Sequence, residues 1–225
     1  MRLFFTICLS FLSLPFFAQD GALFQWTDHL TYKTGINAVE AGDRVYCATK
    51  YALVAYDKNY SGIVRYNKVN GLSDSELTDI AYSSDVKTLV VAYSNANIDL
   101  ITADGIINIS DIKRKNILGN KTIYRVVVRG DKAWLACGFG IVVLDLTKRE
   151  VKDTYIIGDT GSNLEVYDLA FSDTEVYAST GDGIRKALLS DPLIALYSSW
   201  TKLQNAPVTT WAKAVWWNDL LCVQY

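Results

Sequence analysis

Three oxygen-bearing side chains alternate within one short stretch of this sequence, at Asn95, Asn97 and Asp99. Alternate residues of a β-strand point to the same face, so these oxygens are expected on one side of a strand. Carboxylate and amide oxygens bind cations and also hydrogen-bond sugar hydroxyls. One carboxylate with two amides makes a poor calcium site, so we predict no metal here. A ligand-binding row stays a hypothesis beside the interpretation we favour, a hydrogen-bonded polar row near a central channel.

The only dense basic run consists of Lys113, Arg114 and Lys115, with Lys121 a few residues further on. Two interpretations stay open for these charges. Basic side chains at the edge of a sheet remain in water and discourage pairing with other chains. The same charges can also form a contact for a phosphate group or an acidic sugar at an outer surface.

Two aromatic residues, Tyr51 and Phe139, fall at matching positions of a repeated pattern, in loops expected on one face. If exposed, their rings can stack on sugar rings or on partner side chains, and packing in the core is the equal alternative. Asp182, between two glycines, adds a carboxylate in the corresponding loop of a later unit. We therefore count all three as candidate binding residues.

Catalytic chemistry has little support in the sequence. The chain has one histidine, His29, and it contains no Gly-x-Ser-x-Gly, His-Glu-x-x-His, phosphate-loop or Cys-x-x-Cys motif. We predict no catalytic residue, no metal and no cofactor, which leaves a propeller lyase or glycosidase as a distant third possibility. A formal net charge of −2 argues against a nucleic-acid partner, because such a surface needs a basic excess.

A repeat of about 44 residues must position these side chains, and that period is typical of propeller blades. Its units begin at Ile36, Leu77, Ile123, Val166 and Trp211. Each unit consists of short β-runs separated by turns, and one four-stranded sheet buries both of its faces only between neighbours. We predict an all-β fold, a β-propeller of about five four-stranded antiparallel blades in an incomplete, truncated ring.

The domain prediction follows from the repeat. Residues 19–225 form a partial N-terminal propeller, and residues 22–32 form a strand that closes the ring with a blade missing from this chain. Four alternating strands place the turn between the second and third strands on the same side as the link to the next blade. Binding is expected on that face, because propellers carry function on loops held by a rigid scaffold.

The first residues of the chain predict export. Residues 1–18 combine a basic Arg2, an apolar run and a small residue at Ala18, a pattern typical of a cleaved secretory signal peptide. The rest of the chain contains Cys47, Cys137 and Cys222. We predict that all three are small buried hydrophobic residues rather than disulfide partners.

Several longer stretches resemble one family. The sequence Asn70-Gly-Leu-Ser-Asp is similar to the propeller repeats of bacterial two-component sensors. The runs from Thr88 to Ile101, from Gly105 to Lys115 and from Cys137 to Leu146, with Asp153 to Gly158, resemble the N-terminal region of the PorZ family of type IX secretion components. The likeness extends over nearly the whole chain from Trp26 onward.

This resemblance implies an outer-membrane surface protein with two propellers and a small β-sandwich sorting domain, of which this chain lacks the second propeller and the sorting domain. It implies a partner with sortase-type peptidase activity and an anionic lipopolysaccharide that is attached to secreted cargo. The family supplies no active-site motif to transfer. The favoured function is therefore a noncatalytic scaffold or binding module at the cell surface. The alternative is the periplasmic, glycan-sensing propeller of a hybrid two-component regulator.

Overall fold

The computed structural model describes residue 30, residues 32–204 and residues 213–224. The chain divides into residues 1–30 and 31–225, and every described strand belongs to the second part. The predicted signal peptide and nearly all of the predicted ring-closing strand, residues 22–32, lie outside the described residues. None of the described helices is long and apolar enough to cross a membrane.

The described strands form four antiparallel sheets of four strands and one of two strands. Blade 1 contains β1 (Gly35–Ala41), β2 (Arg44–Thr49), β3 (Leu53–Asp57) and β4 (Ile63–Tyr66). Blade 2 contains β5 (Leu77–Ser83), β6 (Thr88–Tyr93), β7 (Ile98–Thr102) and β8 (Gly105–Ile109). Blade 3 contains β9 (Ile123–Arg129), β10 (Lys132–Cys137), β11 (Gly140–Asp145) and β12 (Glu150–Tyr155). Blade 4 contains β13 (Val166–Phe171), β14 (Glu175–Thr180), β15 (Gly183–Leu188) and β16 (Thr201–Lys202). Blade 5 contains β17 (Lys213–Trp217) and β18 (Leu220–Gln224). Among the described residues, three short helices lie in the connections: α1 (Asp111–Arg114), η1 (Asp159–Gly161) and η2 (Tyr197–Ser199).

This architecture confirms the predicted incomplete β-propeller. The first strands of the blades, β1, β5, β9, β13 and β17, contact one another in chain order and therefore lie innermost. The first four begin at Gly35, Leu77, Ile123 and Val166, within one residue of the predicted starts. The predicted start of the fifth unit, Trp211, lies outside the described residues.

The hydrophobic core consists of layers between adjacent blades. Successive residues of β10 show why, because Leu135 packs in the cluster shared with blade 2, whereas Trp134 packs in the cluster shared with blade 4. Alternate side chains of a strand point to opposite faces, so each middle blade has two apolar faces. A buried leucine contributes about 1.5–3 kcal/mol, and the blades can bury such residues only against one another.

A β-bulge occurs near the start of each of the first four inner strands. The pairing register shifts around one residue, which is Ile36 in β1, Thr78 in β5, Tyr124 in β9 and Tyr167 in β13. A bulge leaves one residue unpaired and redirects its side chain. All four bulge residues line the same cavity at the centre of the propeller.

The predicted fates of the cysteines were partly wrong. Cys137 is buried, and burial raises the pKa of its thiol. Cys47 is half-buried, and Cys222 is exposed in the middle of β18. All three are free thiols in the described structure. The prediction of burial therefore holds for Cys137 alone.

Candidate functional site

A cavity of about 240 Å³ lies at the mouth of the central channel, and we call it the channel-mouth cavity. Its lining residues come from the inner strands of all five blades: Ile36, Thr78, Asp79, Tyr124, Arg125, Tyr167, Asp168 and Lys213. They stand near the starts of their strands, where the links from the preceding blades arrive. The turns between second and third strands lie on the same side, because the Gly138 and Gly181 N–H groups bond to carbonyls just before β9 and β13.

Charged groups alternate around the channel-mouth cavity. The residue after the bulge is Asp79 in β5, Arg125 in β9 and Asp168 in β13, and Lys213 begins β17. The guanidinium of Arg125 lies between the two carboxylates, with Nη1 3.6 Å from Asp79 Oδ2 and Nε 3.5 Å from Asp168 Oδ1. The formal charges of these four side chains cancel.

Both carboxylates also hold neighbouring blades together. Asp79 Oδ2 accepts a hydrogen bond from the backbone N–H of Val126 at 2.7 Å, and Asp168 Oδ2 accepts one from Ala214 at 3.1 Å. Asn37, after the bulge of β1, donates to Asp79 Oδ1 at 2.6 Å. The residue after the bulge in β5 and in β13 therefore lines the cavity and also bonds to the next blade.

Burial dominates the electrostatics of the two carboxylates. It raises the pKa of Asp79 and that of Asp168 above their usual range, although Arg125 and the backbone N–H donors oppose the effect. For both carboxylates, the cost of desolvation therefore outweighs the stabilisation that Arg125 and the N–H donors provide. A ligand that donates hydrogen bonds would stabilise these carboxylates.

Two polar atoms of the lining residues have no hydrogen-bond partner among the described residues. They are Thr78 Oγ1 and Arg125 Nε, and each is buried. Arg125 Nε lies 3.5 Å from Asp168 Oδ1, an ion-pair contact that does not meet hydrogen-bond geometry. The rest of the Arg125 side chain is accessible, at 42% exposure. Buried polar groups are nearly always hydrogen-bonded, so two such atoms beside one cavity mark a place for an additional donor and acceptor.

A tyrosine pair forms one side of the cavity. The rings of Tyr124 and Tyr167 meet edge to face, with centroids 5.2 Å apart. Tyr167 donates its hydroxyl hydrogen to Glu165 at 2.7 Å, and Asn120 donates to both Tyr124 and Glu165. Burial, with the Glu165 carboxylate, raises the pKa of Tyr167 to about 12. The hydrogen bonds from Asn120 and to Glu165 therefore hold the two aromatic rings in defined orientations.

The predicted row of Asn95, Asn97 and Asp99 is not a strand face. Only Asp99 lies within β7, and the two asparagines precede it, so the expected alternation along one strand was wrong. Asp99 is fully buried and accepts hydrogen bonds from the Tyr93 hydroxyl at 2.6 Å and the Ser73 N–H at 2.8 Å. Its carboxylate therefore bonds the connector between blades 1 and 2 to blade 2.

Asp74 links the asparagines to the basic run. Its carboxylate accepts hydrogen bonds from Asn95 at 2.6 Å, from Asn97 at 3.4 Å and from the Lys113 ammonium, with Lys68 at 3.3 Å. Burial alone would raise the pKa of Asp74, but these bonds together hold it well below its usual range. Asp74 ends the sequence Asn70-Gly-Leu-Ser-Asp, which therefore acts here as a blade connector.

The basic run is largely engaged in internal contacts. Lys113 and Arg114 lie in α1, where Lys113 pairs with Asp74 and Arg114 pairs with Asp111 at 2.9 Å. Lys121 donates to the backbone carbonyls of Lys113 and Lys115 at 2.9 Å each. Lys113 and Lys121 thus bond within and beside the connection between blades 2 and 3, and no residue of the run lines the channel-mouth cavity.

The three loop candidates differ in their surroundings. Of the two alternatives for Phe139, the structure shows core packing, since this residue is 1% exposed and packs between blades 2 and 3. Tyr51 is half-buried, with Lys50 Nζ 5.3 Å from its ring centroid. Asp182 accepts a hydrogen bond from the buried Arg185 at 2.6 Å. None of these three lines the channel-mouth cavity.

Sequence reasoning missed the residues that do line the cavity. One signal in the sequence could have found them. A polar or charged residue follows the bulge in each of the first four blades, and another begins the described inner strand of the fifth. These residues are Asn37, Asp79, Arg125, Asp168 and Lys213. The alignment of the repeats obscured it, because Ile36 was matched with Leu77. The bulges instead make Asn37 equivalent to Asp79.

Comparison with known proteins identifies the family. Residues 45–201, from β2 to the start of β16, match the family described as the N-terminal β-propeller domain of PorZ of type IX secretion. This chain belongs to that family. The match includes three of the four cavity-lining strands that have a bulge. No protein in the curated set matches the sequence.

Solved structures agree with this assignment. PorZ, an essential bacterial surface component of the type IX secretion system of Porphyromonas gingivalis, is 28% identical with a TM-score of 0.69, over 80% of this chain and 24% of that chain. This chain thus spans about a quarter of the length of that relative, as the 24% coverage shows.

Two more distant structures share the fold alone. The extracellular domain of BT4673 from B. thetaiotaomicron, described as part of a hybrid two-component system, is 10% identical with a TM-score of 0.64, over 84% of this chain and 25% of that chain. AztD from Citrobacter koseri is 12% identical with a TM-score of 0.53, over 84% of this chain and 49% of that chain.

Proposed function

We propose that this chain is a noncatalytic scaffold and binding module of a type IX secretion surface complex, where it assists the attachment of anionic lipopolysaccharide to secreted cargo. The observation that carries this proposal is the family match from β2 to β16, together with 28% identity to PorZ. PorZ of Porphyromonas gingivalis is an essential surface component of its secretion system, so we place this protein outside the cell or at the outer membrane.

The geometry of the channel-mouth cavity supports a binding role better than a catalytic one. Asp79 and Asp168 each accept a backbone N–H from the next blade, so both carboxylates have structural tasks. The described residues contain no histidine and no group of three or more His, Cys, Asp or Glu placed to hold a metal ion. Hydrogen-bonding groups that surround a cavity suit recognition of a polar ligand.

The proposed partners follow from the same assignment. A sortase-type peptidase would carry out the cleavage and attachment, while this protein would hold or deliver the lipopolysaccharide. Similarity to the BT4673 extracellular domain, at 10% identity, concerns the fold and favours no sensor function. We therefore advance one function.

Deletion of the gene in its own bacterium tests this proposal. We expect cargo proteins to keep their sorting domains and to lack attached lipopolysaccharide, and a plasmid copy of the full-length gene should restore both properties. Electrophoresis of secreted cargo, probed for the sorting domain and for lipopolysaccharide, measures the outcome. Normal cargo processing in the deletion strain would overturn the proposal.

A further inference from the structure

We infer that the channel-mouth cavity binds an uncharged sugar residue through Thr78, Arg125 and the two carboxylates beside that arginine. This inference rests on the proposed function and deepens it, because it assigns the cavity a sugar unit of the lipopolysaccharide rather than its anionic groups. Unsatisfied polar atoms, balanced charge, aromatic walls and the size of the cavity support it.

Unsatisfied polar atoms point to a missing ligand. Three buried side-chain polar atoms lack a hydrogen-bond partner in the described part of the chain: Thr78 Oγ1, Arg125 Nε and Ser179 Oγ. Two of the three belong to residues that line this one cavity. Arg125 offers only donors, and the Thr78 hydroxyl can donate and accept. A ligand hydroxyl can bond to either group, because it too is both donor and acceptor.

The balance of charge selects a neutral ligand. Asp79 and Asp168 lie on either side of Arg125, at 3.6 and 3.5 Å, so an anion approaching the guanidinium also meets two carboxylates. Like charges at such distances repel. A sugar with adjacent hydroxyls avoids this conflict, because one hydroxyl accepts from Arg125 while the next donates to a carboxylate. Lys213 also lines the cavity, and the formal charges of Asp79, Asp168, Arg125 and Lys213 cancel.

The walls of the cavity suit the carbon face of a sugar ring. Tyr124 and Tyr167 hold their rings edge to face on one side, and Ile36 supplies an apolar side chain that is 44% exposed. Aromatic and aliphatic surfaces pack against the C–H groups of a pyranose, while polar groups fix its orientation. Sites for drug-sized ligands occupy about 300–1,000 Å³, so a cavity of about 240 Å³ suits a single sugar residue.

Ligand-observed NMR on the full-length protein tests this inference. The probes are the methyl glycosides of glucose, galactose and mannose, with inorganic phosphate and galacturonate as anionic competitors. We expect at least one methyl glycoside to bind at millimolar concentration. Neither anion should displace it.

Two substitutions locate the binding, and a third serves as the matched control. Thr78→Val removes a hydroxyl that has no protein partner in the described structure, so we expect normal folding and about fivefold weaker sugar binding. Arg125→Lys keeps the charge and loses the planar fork, and we expect binding about tenfold weaker. Ser179→Ala removes the third unsatisfied hydroxyl, away from the cavity, and should leave binding unchanged.

Several results would overturn the inference. These are the absence of binding by all three methyl glycosides, displacement by phosphate or galacturonate, and unchanged binding by the Thr78→Val protein. If the Arg125→Lys protein does not fold, unchanged binding by the Thr78→Val protein is enough to overturn the inference. If the protein binds the sugar but gene deletion leaves cargo processing intact, the sugar site stands and the proposed function is wrong. If cargo processing depends on the gene but the protein binds no sugar, the proposed function stands and the sugar site is wrong.

Discussion

The carboxylate of Asp79 accepts the backbone N–H of Val126 in the next blade, with 2.7 Å between Oδ2 and the nitrogen. Inner strands of adjacent blades belong to different sheets, so no ladder of backbone hydrogen bonds joins those that the structure describes. The same bond recurs between Asp168 and Ala214 two blades further on. Side-chain carboxylates therefore supply polar connections within the inner ring.

Loss of the first of these connections should destabilise the propeller. Asp79→Ala leaves the Val126 N–H buried without its acceptor and removes one carboxylate beside Arg125, so we expect the free energy of unfolding to fall by about 1–3 kcal/mol. Chemical denaturation of the full-length protein, followed by tryptophan fluorescence, measures the change. Asp104→Ala is the control, because Asp104 is 84% exposed and lies 3.8 Å from Arg149. Equal stability of both variants would contradict the structural role of Asp79.

Asp74 should make stability depend on pH in the acid range. Its folded pKa lies well below the usual value of about 3.9, so the carboxylate stabilises the fold above about pH 4 and loses that effect as the pH falls further. Asp74→Asn lacks the charge. We expect it to be less stable than wild type by about 1–3 kcal/mol at pH 7, with the difference shrinking between about pH 4 and pH 2.

Denaturation of both proteins at a series of pH values measures that difference. Asp111→Asn is the control, since Asp111 forms an exposed pair with Arg114 and exposed pairs contribute little. A stability difference for Asp74→Asn that stays constant from about pH 7 to about pH 2 would exclude the ion pairs of Asp74 as its cause.

Gly140 and Gly42 both have positive φ angles, but they differ in the space that a side chain would find. Gly140 has φ +146°, and a side chain there would collide with the Tyr155 carbonyl oxygen, whereas Gly42 has φ +62° and open space around it. We expect Gly140→Ala to cost about 3 kcal/mol or more and Gly42→Ala to cost about 1 kcal/mol. Thermal unfolding of the two variants provides the comparison. A smaller loss for Gly140→Ala than for Gly42→Ala would contradict the described turn between β10 and β11.

The matching loop residues Phe139 and Tyr51 should differ in their contribution to stability. Phe139→Ala opens a cavity between blades 2 and 3, and we expect a loss of about 3–5 kcal/mol in unfolding free energy. Tyr51→Ala removes a half-buried ring and should cost less. The same denaturation assay ranks them, and the opposite order would mean that the Phe139 loop packs differently.

Hydrophobic patterning predicted the blades well because it is a local property. Leu77, Ile123 and Val166 begin their strands, and each is a buried residue at the same point of the repeat. Pairing between strands is not local. The bulges, which depend on pairing with the second strands, make Gly35 equivalent to Leu77. Because Gly35 is not apolar, the hydrophobic pattern matched Ile36 with Leu77 instead and missed the equivalence of Asn37 and Asp79.

Contacts between loops were also beyond the sequence patterns. Nothing local in the sequence places Asp74 beside Asn95 and Lys113, because the link between blades brings these segments together. Burial of Phe139 likewise depends on the neighbouring blade, while Tyr51 at the matching position remains half-buried. A repeat predicts where a loop lies, and the adjoining blades determine which side chains stay accessible.

Affinity purification of the full-length protein, crosslinked on the surface of its own bacterium, tests the proposed function most directly. Mass spectrometry of the eluate and a stain for lipopolysaccharide report the partners, and a strain with an untagged copy is the control. We predict recovery of a sortase-type peptidase together with anionic lipopolysaccharide. Recovery of neither from a tagged protein that remains functional and exposed at the surface would contradict the proposal.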